Sequence, residues 1–395
     1  MQIIVSSFNP RKFVLGLILL WVCVVTLGLG EASLATDKIG AKSVSSQSEK
    51  VSSGRAVWYF VDPQNRTKLG PFPRRPTEFN DGIAAIYDGK HYLYIDINGK
   101  VVGPAAHDCG EFSEGLAAVC YERMSKGTPK STGWGYLNKK GKLEINGHFN
   151  RAWKFSEGLA AVEIGRDTRN FLDTTCEKYE QPGLIGFINH DGQIVIKPQY
   201  QVDQNMLAGF CNFRNGRAVV RVQDKVGYID KTGKMVISPT YAVASPFSEG
   251  LAAVKLPGQN YCYIDLDGNP QTPPNFKLAE EFHCGFAKVM INGEHGFCFI
   301  DRSGRVVLRT RQAEQFAEDC AFAELEPNKL FCIDKSMKPK SAKTFSLAYP
   351  FSEGMALVES DGKWGFINLD GEFAIPCKYS DAGSFRCGLA PVEVQ

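Results

Sequence analysis

The chain carries almost no net charge, few histidines and no motif with a defined chemistry. Forty-five basic residues against 43 acidic ones leave +2. The basic excess of a non-specific nucleic-acid binder is therefore missing, and no nucleic-acid partner is expected. The six histidines show no zinc-ligand spacing, and none of the 12 cysteines forms a C-x-x-C pair. No G-x-S-x-G, H-E-x-x-H, Walker or dinucleotide fingerprint occurs. These absences lead to an expectation of no catalytic activity, no metal and no cofactor.

Long uncharged runs are also scarce, and the conspicuous one is Phe13–Gly30. It follows Arg11 and Lys12 and leads to Ser33 and Ala35, a pattern suited to cleavage after Ala35. Its 18 residues are long for a cleaved signal and near the minimum for a membrane span. Residues 1–35 are read as a signal peptide or an N-terminal membrane anchor, with cleavage preferred. Residues 36–54, rich in Ser, Lys and Gly, read as a flexible linker, and residues 55–395 as the folded domain. The expected location is extracytoplasmic: secreted, periplasmic, or held at the membrane through an uncleaved N-terminal segment only. Beyond Cys23, an odd number of cysteines remains. Cys262, Cys298 and Cys332 fall in predicted strands and read as small buried hydrophobes. Cys284 and Cys387 share one repeat position, and no disulfide pairing follows from the sequence.

What the chain has in abundance is glycine, 39 residues, placed with a period. An apolar residue followed by Asp or Asn recurs at Val61, Ile95, Leu137, Ile188, Ile229, Ile264, Ile300, Ile333 and Ile367. In eight of these nine an aromatic residue precedes it. The base period is about 34 residues, which also suits helical repeats, but the local pattern is of strands and turns. Three residues after the Asp or Asn comes Gly in seven copies and Asn65 in an eighth; Met337 breaks the rule. This spacing predicts a hairpin turn closed by a residue at positive φ and capped by the Asp or Asn side chain. Phe-Ser-Glu-Gly, starting at Phe112, Phe155, Phe247 and Phe351, leads into a further strand, with looser versions elsewhere. Alanine recurs in that strand at Ala84, Ala117, Ala160, Ala218, Ala252, Ala287, Ala323, Ala356 and Ala390. Alanine is a poor strand former, so its recurrence implies a site with room for a methyl group only.

Each unit thus reads as a three-stranded meander too small to bury its own apolar face. The expected fold is all-β: a tandem array of about nine antiparallel units, as an open or curved β-solenoid, with a closed β-propeller as the alternative. Gly133–Leu137 (GWGYL), Lys363–Ile367 (KWGFI) and the Phe-Ser-Glu-Gly-Leu-Ala segments resemble the WG, or KWG, repeat. The resemblance covers nearly all of residues 55–394. It implies a β-repeat protein and no common catalytic activity.

Two constellations suggest chemistry and are better explained by structure. Asp265–Asn269 looks like the start of a calcium loop, but Phe276 stands where the bidentate Glu is needed. Glu114, Glu157, Glu249 and Glu353 form a ladder with one member per repeat, suited to a solvated face or to capping turns. Asn65-Arg66-Thr67 fits a glycosylation acceptor. Extra residues interrupt the period at Tyr121–Thr132, Ile164–Gly183 and Val202–Asn212. They are the expected recognition loops, with Tyr121, Arg166, Arg169 and Tyr179 as candidate binding residues; Trp153, an aromatic that like Tyr121 lies outside the repeat-equivalent positions, is a further candidate. The expected partner is a protein or cell-envelope component. A glycan bound through an exposed aromatic such as Trp153 is the second reading, and a hydrolase assembled across repeats the third.

Overall fold

A computed structural model describes residues 56–106, 108–125, 128–165, 183–201 and 211–394. The signal or anchor segment, the linker, Arg166, Arg169 and Tyr179 lie outside the described residues. Among the described residues the chain is all-β: 32 strands, paired antiparallel throughout, and no helix. They form eight open sheets, none of which closes on itself.

The unit with the Lys-Trp-Gly motif shows how the pattern becomes structure. Strands Leu347–Ala348, Met355–Ser360, Lys363–Asn368 and Phe373–Tyr379 lie side by side in chain order. The sequence led to three strands. The fourth, two residues long and ahead of the Phe, is too short to leave a period-two signature. Its counterparts include Arg151–Ala152, Val243–Ala244 and Asp381–Ala382.

The Asp-x-x-Gly turn has the same geometry in all nine copies. Oδ1 of the Asp or Asn accepts the N–H groups two and four residues on, at 2.8–3.1 Å. Met337, the sequence exception, takes φ 63° as Asn65 takes φ 60°, and its N–H donates to the Asp334 carbonyl like the glycines. The capping bonds hold Met337 in a conformation that costs an ordinary side chain roughly 1–2 kcal/mol. These bonds also hold carboxylates down. The Asp230, Asp301 and Asp334 pKa values are lowered chiefly by the hydroxyls of Thr232, Ser303 and Ser336. At Asp62 burial works upward, but the Arg66 N–H and guanidinium and Lys68 bring the pKa to about 2.

The recurring alanine sits opposite the apolar residue of the triplet in every copy. Ala84 pairs with Ile95, Ala117 with Leu137, Ala160 with Ile188 and Ala218 with Ile229. Ala252 pairs with Ile264, Ala287 with Ile300 and Ala356 with Ile367. In the unit of Phe316 the equivalent residue is Ala321, opposite Ile333, and Ala323 lies two positions further on. Both are alanines on the same face of one strand, which is why spacing alone misassigned them. All nine equivalents are at most 1% exposed. The ninth, Ala390, pairs with Val61, because Val57–Val61 and Ala390–Val394 lie antiparallel in one sheet.

The glycine of the Trp-Gly pair has a separate cause. The neighbouring strand bulges beside it, so a Cβ on Gly227 would come 2.5 Å from the Ile237 carbonyl oxygen. On Gly365 it would lie 2.6 Å from the Cys377 nitrogen. Where Cys298 replaces this glycine, the neighbouring strand runs in regular register past it, pairing Arg309 with Cys298 and Leu308 with Phe299.

Nine hydrophobic clusters fill the spaces between consecutive units. One joins Tyr228 and Ile237 to Phe247 and Val254 of the next unit. Another joins Val61 to Phe366, Phe385 and Val392.

Candidate binding edge

The strand registers place the turns of every unit at two distinct ends. At one end lie both the Ser-Glu-Gly and the Asp-x-x-Gly turns, because Leu251 pairs with Asp265. At the other end the strands meet at Lys255 and Tyr261, and the chain crosses to the next unit after residues such as Tyr241.

The first end is a lattice of contacts between neighbours. In Ser-Glu-Gly-Leu the Glu and Gly both take positive φ, 51° and 79° at Glu249 and Gly250, which gives a type I′ hairpin. Glu is an unusual choice there, and its carboxylate explains it by capping the next unit. Gly158, Gly216, Gly285 and Gly388 donate their N–H groups to Glu114, Glu157, Glu249 and Glu353 at 2.7–3.0 Å. Asp81, Asn215 and Glu318 serve Gly115, Gly250 and Gly354 in the same way. Cys284 and Cys387, the remaining equivalents, present no such oxygen. The serines add a second rung: Ser113, Ser156, Ser248 and Ser352 donate to the carbonyls of Phe155, Phe213, Phe282 and Phe385. The glutamate ladder is therefore occupied by turn amides. So is the calcium-like turn, where both Asp265 oxygens accept bonds from Asp267, Asn269 and Gln271.

The strand ends that flank all three insertions lie at the opposite end. The first extends a hairpin: strands Leu116–Ser125 and Thr128–Asn138 have 10 and 11 residues, where the same pair elsewhere has about five or six. Tyr121 lies in this extension, paired with Gly133. The second and third leave from adjacent strand ends, since Leu184 pairs with Ile164 on one side and Gln201 on the other. The base of the second is pinned: Gly165 N–H donates to Asn150 Oδ1 at 3.1 Å, and Gly183 N–H to Glu163 Oε1 at 3.2 Å. Glu163 is buried and faces Arg151 at 3.6 Å.

Trp153 stands apart from these loops. It occupies a repeat position, two residues before the Phe, shared by Ser245, Glu280 and Tyr349, whose N–H groups bond the adjoining strand alike. Its ring is half-buried against the cluster of Phe187 and Phe213. Its carbonyl accepts the buried Tyr136 hydroxyl at 2.7 Å, a contact repeated by Tyr94, Tyr228 and Tyr263 with Gly110, Ser245 and Glu280. Burial pushes the Cys109 and Cys332 thiols up to about 12, so both are protonated at neutral pH and neither is poised as a nucleophile. The pairing of the two strand ends at Leu184 was not legible in the sequence; the signal was only that the insertions are successive.

Fold and edge together define a class: a tandem β-repeat protein whose units cap one another at one end and carry variable segments at the other. It is a WG-repeat protein. The family described as WG containing repeat matches residues 134–166, 185–206, 227–259, 261–294, 331–364 and 364–395. No curated protein matches the chain. Among solved structures, the computationally designed Ika8 protein is similar at 9% identity, covering 81% of this chain and 96% of its own, with a TM-score of 0.44. BamB from Moraxella catarrhalis is similar at 10% identity over 82% of this chain and 92% of its own, TM-score 0.33. Apo AztD from Citrobacter koseri is similar at 13% identity over 73% and 95%, TM-score 0.38.

Proposed function

We propose that the chain is an exported, non-enzymatic scaffold whose nine units close into a propeller-like ring. On this reading it captures another protein or an envelope component through the insertions at one edge. Ring closure is supported by the pairing of Val57–Val61 with Ala390–Val394, which supplies the ninth alanine with its partner. It is also supported by the count of interfaces: nine units in an open row would have eight, and there are nine clusters. This reading replaces the preference for an open solenoid.

The observation that carries the binding role is the shared end of the insertions. A rigid array with its turns satisfied at one end leaves sequence freedom at the other, where recognition loops are tolerated. The test is a crosslinking capture from native envelope or culture medium with the full chain and with a chain lacking residues 166–182. A partner retained only by the intact chain supports the edge. Equal capture by both moves recognition to the repeats, and capture of nothing sinks the protein-partner reading. The glycan alternative requires Trp153 to offer a ring face, and its half-buried packing weighs against that role.

A further inference from the structure

Where the first described hairpin, Val57–Phe72, meets the last repeat, a cavity of about 380 Å³ remains. Its walls come from both sides of the seam: Tyr59, Asn65 and Thr67 from the hairpin, Lys363, Lys378 and Tyr379 from the last unit. Val61 and Val392 are buried beneath it, Val394 and the half-buried Tyr59 supply accessible apolar surface, and no acidic residue lines it. The volume suits a small ligand.

The polar groups are arranged unevenly. Tyr379 is occupied, its hydroxyl donating to the Asn65 side chain. Lys378 lies over the Tyr379 ring at 5.1 Å, and neither it nor Lys363 is in an ion pair among the described residues. The hydroxyls of Tyr59, Thr67 and Ser380 likewise make no hydrogen bond among the described residues. Elsewhere on this chain, basic residues at unit junctions meet carboxylates, as Lys231 meets Glu157 at 3.2 Å and Arg302 meets Glu249 at 3.7 Å. At the seam two ammonium groups share one concavity with no counter-charge, so an anion entering it gains from both and removes their mutual repulsion.

We propose that the seam cavity binds a small organic anion. Its carboxylate or phosphate lies between Lys363 and Lys378, and its apolar body rests on Tyr59 and Val394. The inference rests on the closed-ring reading. Because the ligand touches both seam strands, it binds the closed ring in preference to an opened one and stabilises closure by mass action.

The experiment is calorimetric titration of the full chain with benzoate and with phenyl phosphate, and with benzyl alcohol as the uncharged control. Backbone amide exchange at Val57–Val61 is followed in the same samples. At least one anion is expected to bind about tenfold or more tighter than the alcohol. The double variant K363Q/K378Q should lose that difference, and the anion should slow exchange at Val57–Val61. A preference for benzoate assigns a carboxylate ligand, and a preference for phenyl phosphate a phosphorylated one. Equal binding of the alcohol, or unchanged affinity in the double variant, overturns the proposal. Protected seam amides without anion binding overturn the site and leave the ring standing. Rapid exchange of those amides overturns the ring and the site together.

Discussion

The two ends of each unit obey different rules. At the end with the Ser-Glu-Gly and Asp-x-x-Gly turns, nine copies share one geometry, even where the residue changes from Gly to Met337 or from Glu to Asn215. At the other end, one hairpin doubles in length and two insertions spring from strand ends that flank Leu184. The difference has a physical origin. Turns that cap a neighbour's amides are fixed by that neighbour, whereas the length of a hairpin is set chiefly by its own two strands. Constraint at the capping end follows contact between units.

Substitutions at closely packed positions of the unit should have the largest effects. Gly227→Ala places a methyl against the Ile237 carbonyl and should cost about 3 kcal/mol, read as a lowered denaturant midpoint. Ala252→Leu overpacks the space opposite Ile264 and should cost roughly 1–3 kcal/mol in the same measurement. A smaller loss at either site would mean the packing there is looser than the geometry implies. Next comes Tyr228→Phe, which removes the hydroxyl bond to Ser245 at 2.7 Å. It should cost about 1 kcal/mol, since Phe187, Phe299 and Phe366 already do without it.

The comparison sharpens further with pH. Six of the nine turns use Asp and three use Asn138, Asn189 and Asn368. The folded-state pKa of Asp62 is depressed to about 2, and those of Asp230, Asp301 and Asp334 are also lowered. Their contribution is present above the ordinary carboxylate pKa and is lost as pH falls through the folded values, toward about 2 for Asp62. Asp230→Asn keeps an oxygen for both amides, so it should flatten part of the acid-side decline while changing neutral-pH stability little. An unchanged acid profile would show that the turn carboxylates do not drive it. The smallest effect is expected for Glu249→Asn, within about 0.5 kcal/mol of wild type, because Asn215 fills the same turn and caps Gly250. A large loss there would show that the longer side chain is needed to reach Gly285.

The turn and triplet patterns were legible because each rests on contacts within about six residues. The Asp or Asn cap and the positive φ of the glycines follow from local spacing, whereas Glu249 caps Gly285 in the next unit, 36 residues on. Two local rules were misjudged in detail. Met337 adopts the left-handed turn because Asp334 holds it there, and Ala321 fills the place assigned to Ala323 because strand register decides between alternate residues. Trp153 was singled out for lying off the pattern. It occupies a repeat position whose side chain varies from unit to unit, so periodicity had nothing to detect.

The sequence alone determined the unit, its nine copies, its turns and where the period is interrupted, since all of these are written in short-range spacing. Tertiary structure decided which partner each copy found. Nothing in the spacing says that Val61 meets Ala390 across more than 300 residues, or that Ile164 and Gln201 flank one strand end. The second is set by strand order within one sheet, and the first by the packing at every junction between units rather than by any one of them.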